Sequence, residues 1–147
     1  MDTLRFNVLY YSVDIVYLKG TINAYPVKGL ELIGTAGYNI YSLNNQEKAW
    51  HLPALEINAT LIYTTMEDKL RFKGELFIEN GVPYINKAGE TDNLNGLFDL
   101  SVGADYQVSK NFGIFFQLNN LANNKRQRWA NYPTYGINIL GGISARF

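Results

Sequence analysis

The feature that most constrains this chain is a two-residue alternation of apolar and polar side chains that recurs almost from end to end. A period of two belongs to a strand with two unlike faces. From Leu97 to Ser109, the residues Phe98, Leu100, Val102, Ala104, Tyr106 and Val108 alternate with Asp99, Ser101, Gly103, Asp105 and Gln107. A helix would mix these two sets on every face. The last segment sets Ile137, Ile139, Gly141, Ile143, Ala145 and Phe147 against Asn138, Leu140, Gly142, Ser144 and Arg146. The same pattern predicts strands at Leu4–Tyr11, Val16–Tyr25, Leu30–Leu43, Leu55–Met66, Leu70–Glu79 and Phe112–Leu121, giving about eight in all. Ile33, Ile62, Phe77 and Phe115 break the pattern on the polar side, where a narrow interior needs some apolar filling.

Tight links at Pro26-Val27-Lys28-Gly29, Glu67-Asp68-Lys69 and Ser109-Lys110-Asn111 alternate with long ones at 44–54, 80–96 and 122–136. Short and long connections therefore fall at opposite ends of the strands. Outer-membrane barrels have this asymmetry, with short turns on one side of the bilayer and long loops on the other. The link near Ser12–Asp14 is short where a long one is due. The expected fold is one all-β domain over residues 1–147, an antiparallel up-and-down transmembrane barrel of about eight strands.

Composition narrows the function classes. Thirteen Lys and Arg balance thirteen Asp and Glu, and the charged fraction of 18% is below the roughly one quarter of an average domain. Nothing here builds the basic face that nucleic acid selects. The chain has no Cys and one histidine, His51, which excludes a thiol nucleophile and Cys-based metal sites. No cofactor is expected. A hydrolytic site would rest on His51 with Ser42 or Ser12, but no Gly-x-Ser-x-Gly elbow is present, so no enzyme is expected. Met1 to Arg5 shows no basic segment followed by an apolar run, and no window reaches the 18 or more apolar residues of a membrane helix. Any membrane crossing must use strands.

The polar face decides which side is wet. Arg71, Lys73, Glu75, Asp99, Asp105 and Arg146 carry both signs, so they can neutralise one another inside a lumen that side chains fill. On the apolar face, Tyr63, Tyr106, Phe112 and Phe147 lie toward the short turns, and Tyr10 and Tyr38 toward the long loops. Such placement matches the two interfacial aromatic girdles of a membrane barrel. Lys125, Arg126 and Arg128 form the densest basic cluster, and guanidinium forks match the phosphates of lipopolysaccharide. The alternative is a soluble lipocalin-like barrel with the apolar face turned inward around a hydrophobic ligand.

Residues 112–147 contain Asn119-Asn120-Leu121, then Arg128-Trp129 and Tyr132-Pro133, then a Gly141-Gly142 strand ending in Phe147. This text resembles the final hairpin of TonB-dependent outer-membrane receptors, and the Glu47-Lys48-Ala49-Trp50-His51 loop leading to Pro53 looks similar to that family too. The resemblance implies the bacterial outer membrane and a terminal strand, with Ile139, Ile143 and Phe147 on one face, that the barrel-assembly machinery reads. In that family siderophores or other nutrients are taken up through much longer chains with a plug domain. This chain shows neither plug nor TonB box, so a fragment or reduced barrel without transport activity is expected. Whether about eight strands close alone or join another copy is left open by the sequence.

Overall fold

The computed structural model describes residues 12–44, 47–86, 88–124, 127–129, 132–133 and 135–146. Its strands are β1 (Val13–Ala24), β2 (Leu30–Leu43), β3 (Leu55–Thr65), β4 (Leu70–Asn80), β5 (Pro83–Ile85), β6 (Thr91–Asn93), β7 (Leu97–Ser109), β8 (Phe112–Asn119), β9 (Gln127–Trp129), β10 (Tyr132–Pro133) and β11 (Asn138–Ala145). Seven of them form one sheet in the order β1-β2-β3-β4-β7-β8-β11, while β5–β6 and β9–β10 are separate ribbons inside two of the long connections. Every pairing in the seven-stranded sheet is antiparallel.

The turns explain several strand ends. Gly29 has φ +82° and leaves no room for a Cβ against the Thr64 carbonyl, while Thr64 donates its N–H to Gly29 O at 2.8 Å. A glycine is required there because an L side chain would meet both penalties. Met66, Glu67 and Asp68 are all left-handed, with φ of 55°, 56° and 66°, so β3 stops at Thr65 rather than at Met66. Asn120 turns left-handed at φ 52° and ends β8 two residues before the predicted Leu121. The predicted link at Ser12–Asp14 is also corrected. Asp14 lies inside β1 opposite Ser42, and Val13 opposite Leu43, because the alternation of β2 persists to its last residue and keeps its partner strand extended.

Register then joins the local patterns into one surface. A single row runs Ala24, Leu32, Leu61, Gly74, Val102, Leu118 and Ile139 across all seven strands. Paired residues share a face, so the apolar sets of every strand lie together. That face is the exposed one: Leu61, Phe98, Leu100, Val102, Ile114 and Ile143 are 42%, 38%, 37%, 39%, 44% and 70% accessible. The polar face is the more sheltered, since in β7 Asp99, Ser101 and Gly103 are half-buried between those exposed neighbours. The four apolar exceptions, Ile33, Ile62, Phe77 and Phe115, are half-buried on it.

The same row exposes a slip between strands. Ala24 is the last residue of β1 and Ile139 the second of β11, so strand centres drift by about eight residues over six strand spacings. At about 3.4 Å per residue and 4.8 Å per strand, this equals a tilt of about 43° from the normal to level rims. Closed barrels tilt by roughly 35–45°. Among the described residues, however, β1 and β11 are the two edges and do not pair with each other. The closed barrel is therefore not formed by these seven strands, both edges of which run from the long-loop rim to the short-turn rim. The eighth predicted strand, Leu4–Tyr11, lies outside the described residues.

Candidate functional site

Two surfaces and one rim carry the chemistry. The first is the apolar face. Tyr63 sits opposite Phe72 in β4 and Leu30 in β2, Tyr106 opposite Leu70 and Ile114, and Phe112 opposite Ala145. All three belong to the short-turn rim. Tyr38, 48% accessible, lies opposite Leu55 and Leu18 near the long-loop rim. Ile139 and Ile143 occupy the same face on β11, 67% and 70% accessible. The aromatic rows also include Phe72 and Phe98, which the sequence reading missed. They become visible only when register shows which ends of neighbouring strands lie side by side. Tyr10 and Phe147 lie outside the described residues.

The second surface is the polar face, where the predicted charge network is brought together in part. Lys73 Nζ pairs with Glu75 Oε1 at 2.8 Å, two residues along the same strand. Ser101 Oγ donates to Asp99 Oδ1 at 3.0 Å, and Asn120 N–H donates to Ser101 Oγ at 3.4 Å. Arg71 and Asp105 are direct cross-strand partners. Arg146 stands apart, exposed beyond the end of β11, with its N–H on Asn111 O at 2.9 Å. Aromatic rings cover glycines on this face. A Cβ at Gly142 would lie 2.6 Å from the Phe115 ring, and one at Gly37 would lie 2.7 Å from the Tyr17 hydroxyl. Both rings use space that only glycine leaves.

The rim of long connections is packed as a unit. Asn39 Nδ2 and Tyr41 Oη donate to Pro53 O at 3.1 and 2.8 Å, Ala54 N–H reaches Asn80 O at 3.1 Å, and His51 N–H reaches Pro83 O at 2.9 Å. These bonds fold the 44–54 connection onto the start of the 81–96 connection. Ala49 and Val82 are buried there at 4% and 5% accessibility, with Glu79 at 4%. Burial holds the His51 imidazole below its usual pKa. Asn120, 3% accessible, anchors the third connection: its amide donates to Tyr135 O at 2.7 Å and its Oδ1 accepts the Asn124 N–H at 3.3 Å. Sequence reading placed Asn120 in a motif without foreseeing this role. Its combination of a short amide side chain with a strand-ending position was the available signal.

Of the basic cluster, Lys125 and Arg126 lie outside the described residues, and Arg128 is placed only as part of β9. Among the described residues, no helix is long and apolar enough to cross a membrane, a fact that says nothing of strands. No protein-family model, curated protein or solved structure matches the chain.

Proposed function

We propose that the chain forms the wall of an outer-membrane β-barrel, with its apolar face against lipid and its charged face enclosed. It resembles the C-terminal part of a TonB-dependent receptor but has no transport activity of its own. The observation that carries this reading is the register, which gathers the apolar side chains of seven strands on the more exposed face. A soluble protein rarely exposes an apolar patch beyond a few hundred Å². On this face Val16, Leu18, Ile22, Ile139 and Ile143 are each more than half exposed.

Dimensions support the same reading. From Phe98 to Tyr106, the apolar set spans eight residue steps of β7, about 27 Å along the strand and about 20 Å after a 43° tilt. From Leu30 to Ile40 in β2 the height is about 25 Å, the height of an outer-membrane apolar band. In this reading Lys125, Arg126 and Arg128 meet lipopolysaccharide phosphates at the long-loop rim, and Ile139, Ile143 and Phe147 engage the assembly machinery.

Because the chain contains no Cys, single-cysteine variants test the orientation directly. An environment-sensitive fluorophore on Leu100→Cys should be quenched by lipid-borne quenchers, and the same label on Ser101→Cys should not. The folded protein should also require detergent and migrate differently on a denaturing gel before and after boiling. Purification from the soluble fraction with the opposite quenching pattern would establish the lipocalin-like carrier instead.

A further inference from the structure

We infer that Asn95 is a site of spontaneous covalent modification, in which its side-chain amide is lost through a cyclic imide and water then leaves a carboxylate. The dipeptide Asn-Gly occurs twice in the chain, at Asn80-Gly81 and at Asn95-Gly96. In such a pair the glycine nitrogen can close onto the side-chain carbonyl carbon of the asparagine, because glycine has no Cβ to crowd the approach. By sequence the two sites are equivalent, and the fold separates them. Both lie on the rim of long connections, away from the apolar face, so the chemistry is the same whatever covers the sheet.

The reaction is an intramolecular acyl transfer. The Gly96 nitrogen gives its proton to solvent base and bonds to Asn95 Cγ. The Cγ–Nδ2 bond breaks, and the amine takes a proton from solvent and leaves as ammonia. One water then adds to either carbonyl of the imide. Opening on one side gives aspartate with an ordinary main chain, and opening on the other gives a β-linked aspartate whose main chain runs through Cβ and Cγ. Water is the one co-reactant.

Asn80 is held out of this path. Gly81 N–H donates to Asn80 Oδ1 at 2.8 Å, so the attacking nitrogen is engaged with the amide oxygen and its proton is occupied. A hydrogen bond to a carbonyl favours the carbonyl plane, whereas attack on the carbon comes at its face. The main chain around the pair is fixed as well. Asn80 sits opposite Leu55 at the end of β4, Asn80 O and Gly81 O both accept the Ala54 N–H, at 3.1 and 3.3 Å, and Gly81 holds φ 70°. Swinging the nitrogen onto the amide face would disturb these contacts.

Asn95 carries none of these restraints. It lies with Gly96 in the link between β6 and β7, and both residues are exposed. Among the described residues, neither the Asn95 amide nor the Gly96 N–H has a hydrogen-bond partner, so both reacting groups can turn into the attack geometry. The position gives the product a consequence. Just before it, Leu94 N–H donates to Val82 O at 2.9 Å, and just after Gly96, Leu97 pairs with Glu79 at the start of β7. A β-linked residue puts an extra methylene between these two fixed points and slackens the tie that closes the 81–96 connection.

Ageing the folded full-length chain at mildly alkaline pH, followed by tryptic digestion and mass spectrometry, tests the assignment. Cleavage after Lys87 places the two asparagines on different peptides. In the folded protein Asn95 should convert at least about tenfold faster than Asn80, because only Asn95 can reach the attack geometry. In denaturant the two rates should agree within about threefold, since the glycine that follows each is the same. Gly96→Ala should slow conversion of Asn95 by about tenfold through the added Cβ. That variant should fold normally, because its Cβ would meet its nearest neighbours, Asn80 Oδ1 and Glu79 O, at an ordinary 3.5 Å. Asn80 converting as fast as Asn95 in the folded chain, or Asn95 converting only after denaturation, would overturn the inference. Aged protein should also lose hydrogen-exchange protection at the Leu94 amide, while Asn95→Asp, which carries the same charge on an ordinary main chain, should keep it. Equal protection in the two would reject the slackened tie.

Discussion

At the rim of long connections, Ala49, Glu79, Val82 and Asn120 are sealed from solvent, whereas on the apolar face Ile22, Ile139 and Ile143 remain 67–70% accessible. Both regions carry apolar side chains, Ala49 and Val82 at the rim and the isoleucines on the sheet, yet only the rim buries them against protein. The rim does so with loop segments pinned by backbone and Asn, Tyr and Pro partners. The sheet face has no covering layer of its own among the described residues. A sheet must bury its hydrophobic face against something, and on the reading proposed above lipid is that layer. On that reading the contrast separates two solvents along one molecule, water at the loops and hydrocarbon along the strands.

The sharpest way to break this contrast is to place a charge on the face assigned to lipid. Val102→Arg at mid-belt should cost about 2–4 kcal/mol, measured as reversible denaturant unfolding from bilayers. Ser101→Arg on the sheltered face should cost less, because ionic groups already surround it. Equal costs at the two positions would remove the distinction between the faces. At the loop rim, Asn120→Ala should lose about 1–3 kcal/mol, since it leaves the Tyr135 carbonyl without its buried donor and sets a Cβ-bearing residue without local amide bonding at positive φ. Asn120→Gly should recover part of this loss, and the difference between the two variants isolates the backbone contribution.

A smaller effect is expected at Gly81, whose φ is +70° and whose replacement Cβ would lie 2.9 Å from the Ala54 Cβ. Gly81→Ala should cost about 1–2 kcal/mol, read from the same unfolding curves. The smallest effect is pH-dependent. Burial lowers the folded-state pKa of His51, so the unfolded state takes up a proton first as pH falls. The stability contributed by the neutral imidazole is complete above its ordinary value of 6.5 and is lost as pH drops below that toward the folded pKa. Protection factors of amides in the 44–54 connection, which correct for the intrinsic slowing of exchange at lower pH, should therefore fall between pH 7 and pH 5, and His51→Gln should flatten that response.

Sequence reading reached furthest where a local rule had a long run to act on. Strands β2, β3, β4 and β7 were legible within one residue because each alternates over ten or more positions. The start of β1 was not, since Val13-Asp14-Ile15 alternates in the opposite phase to Val16, Leu18 and Ile22, which puts Asp14 on their face beside Ser42 of β2. Ribbons β5–β6 and β9–β10 escaped notice because two- and three-residue strands have no period to detect. The charged residues were found individually, but the pairing of Lys73 with Glu75 and of Asp99 with Ser101 depends on rotamers and neighbours that spacing does not specify. Asn120 shows the same limit: a buried amide hub is a property of how the connection after β8 closes back on itself beside β7, not of its own tripeptide.

The unequal connections at the two rims also carry a consequence for how such a protein enters a bilayer. Among the described residues, crossing hydrocarbon with the long rim leading would strip water from three extended connections and the two ribbons they hold, whereas the opposite rim there exposes three tight reversals, including the left-handed Met66-Glu67-Asp68 corner. In the proposed membrane reading, entry is therefore vectorial and led by the compact rim. When the protein is added to preformed vesicles, a protease added outside should reach the 81–96 connection and leave the corner at 66–69 intact.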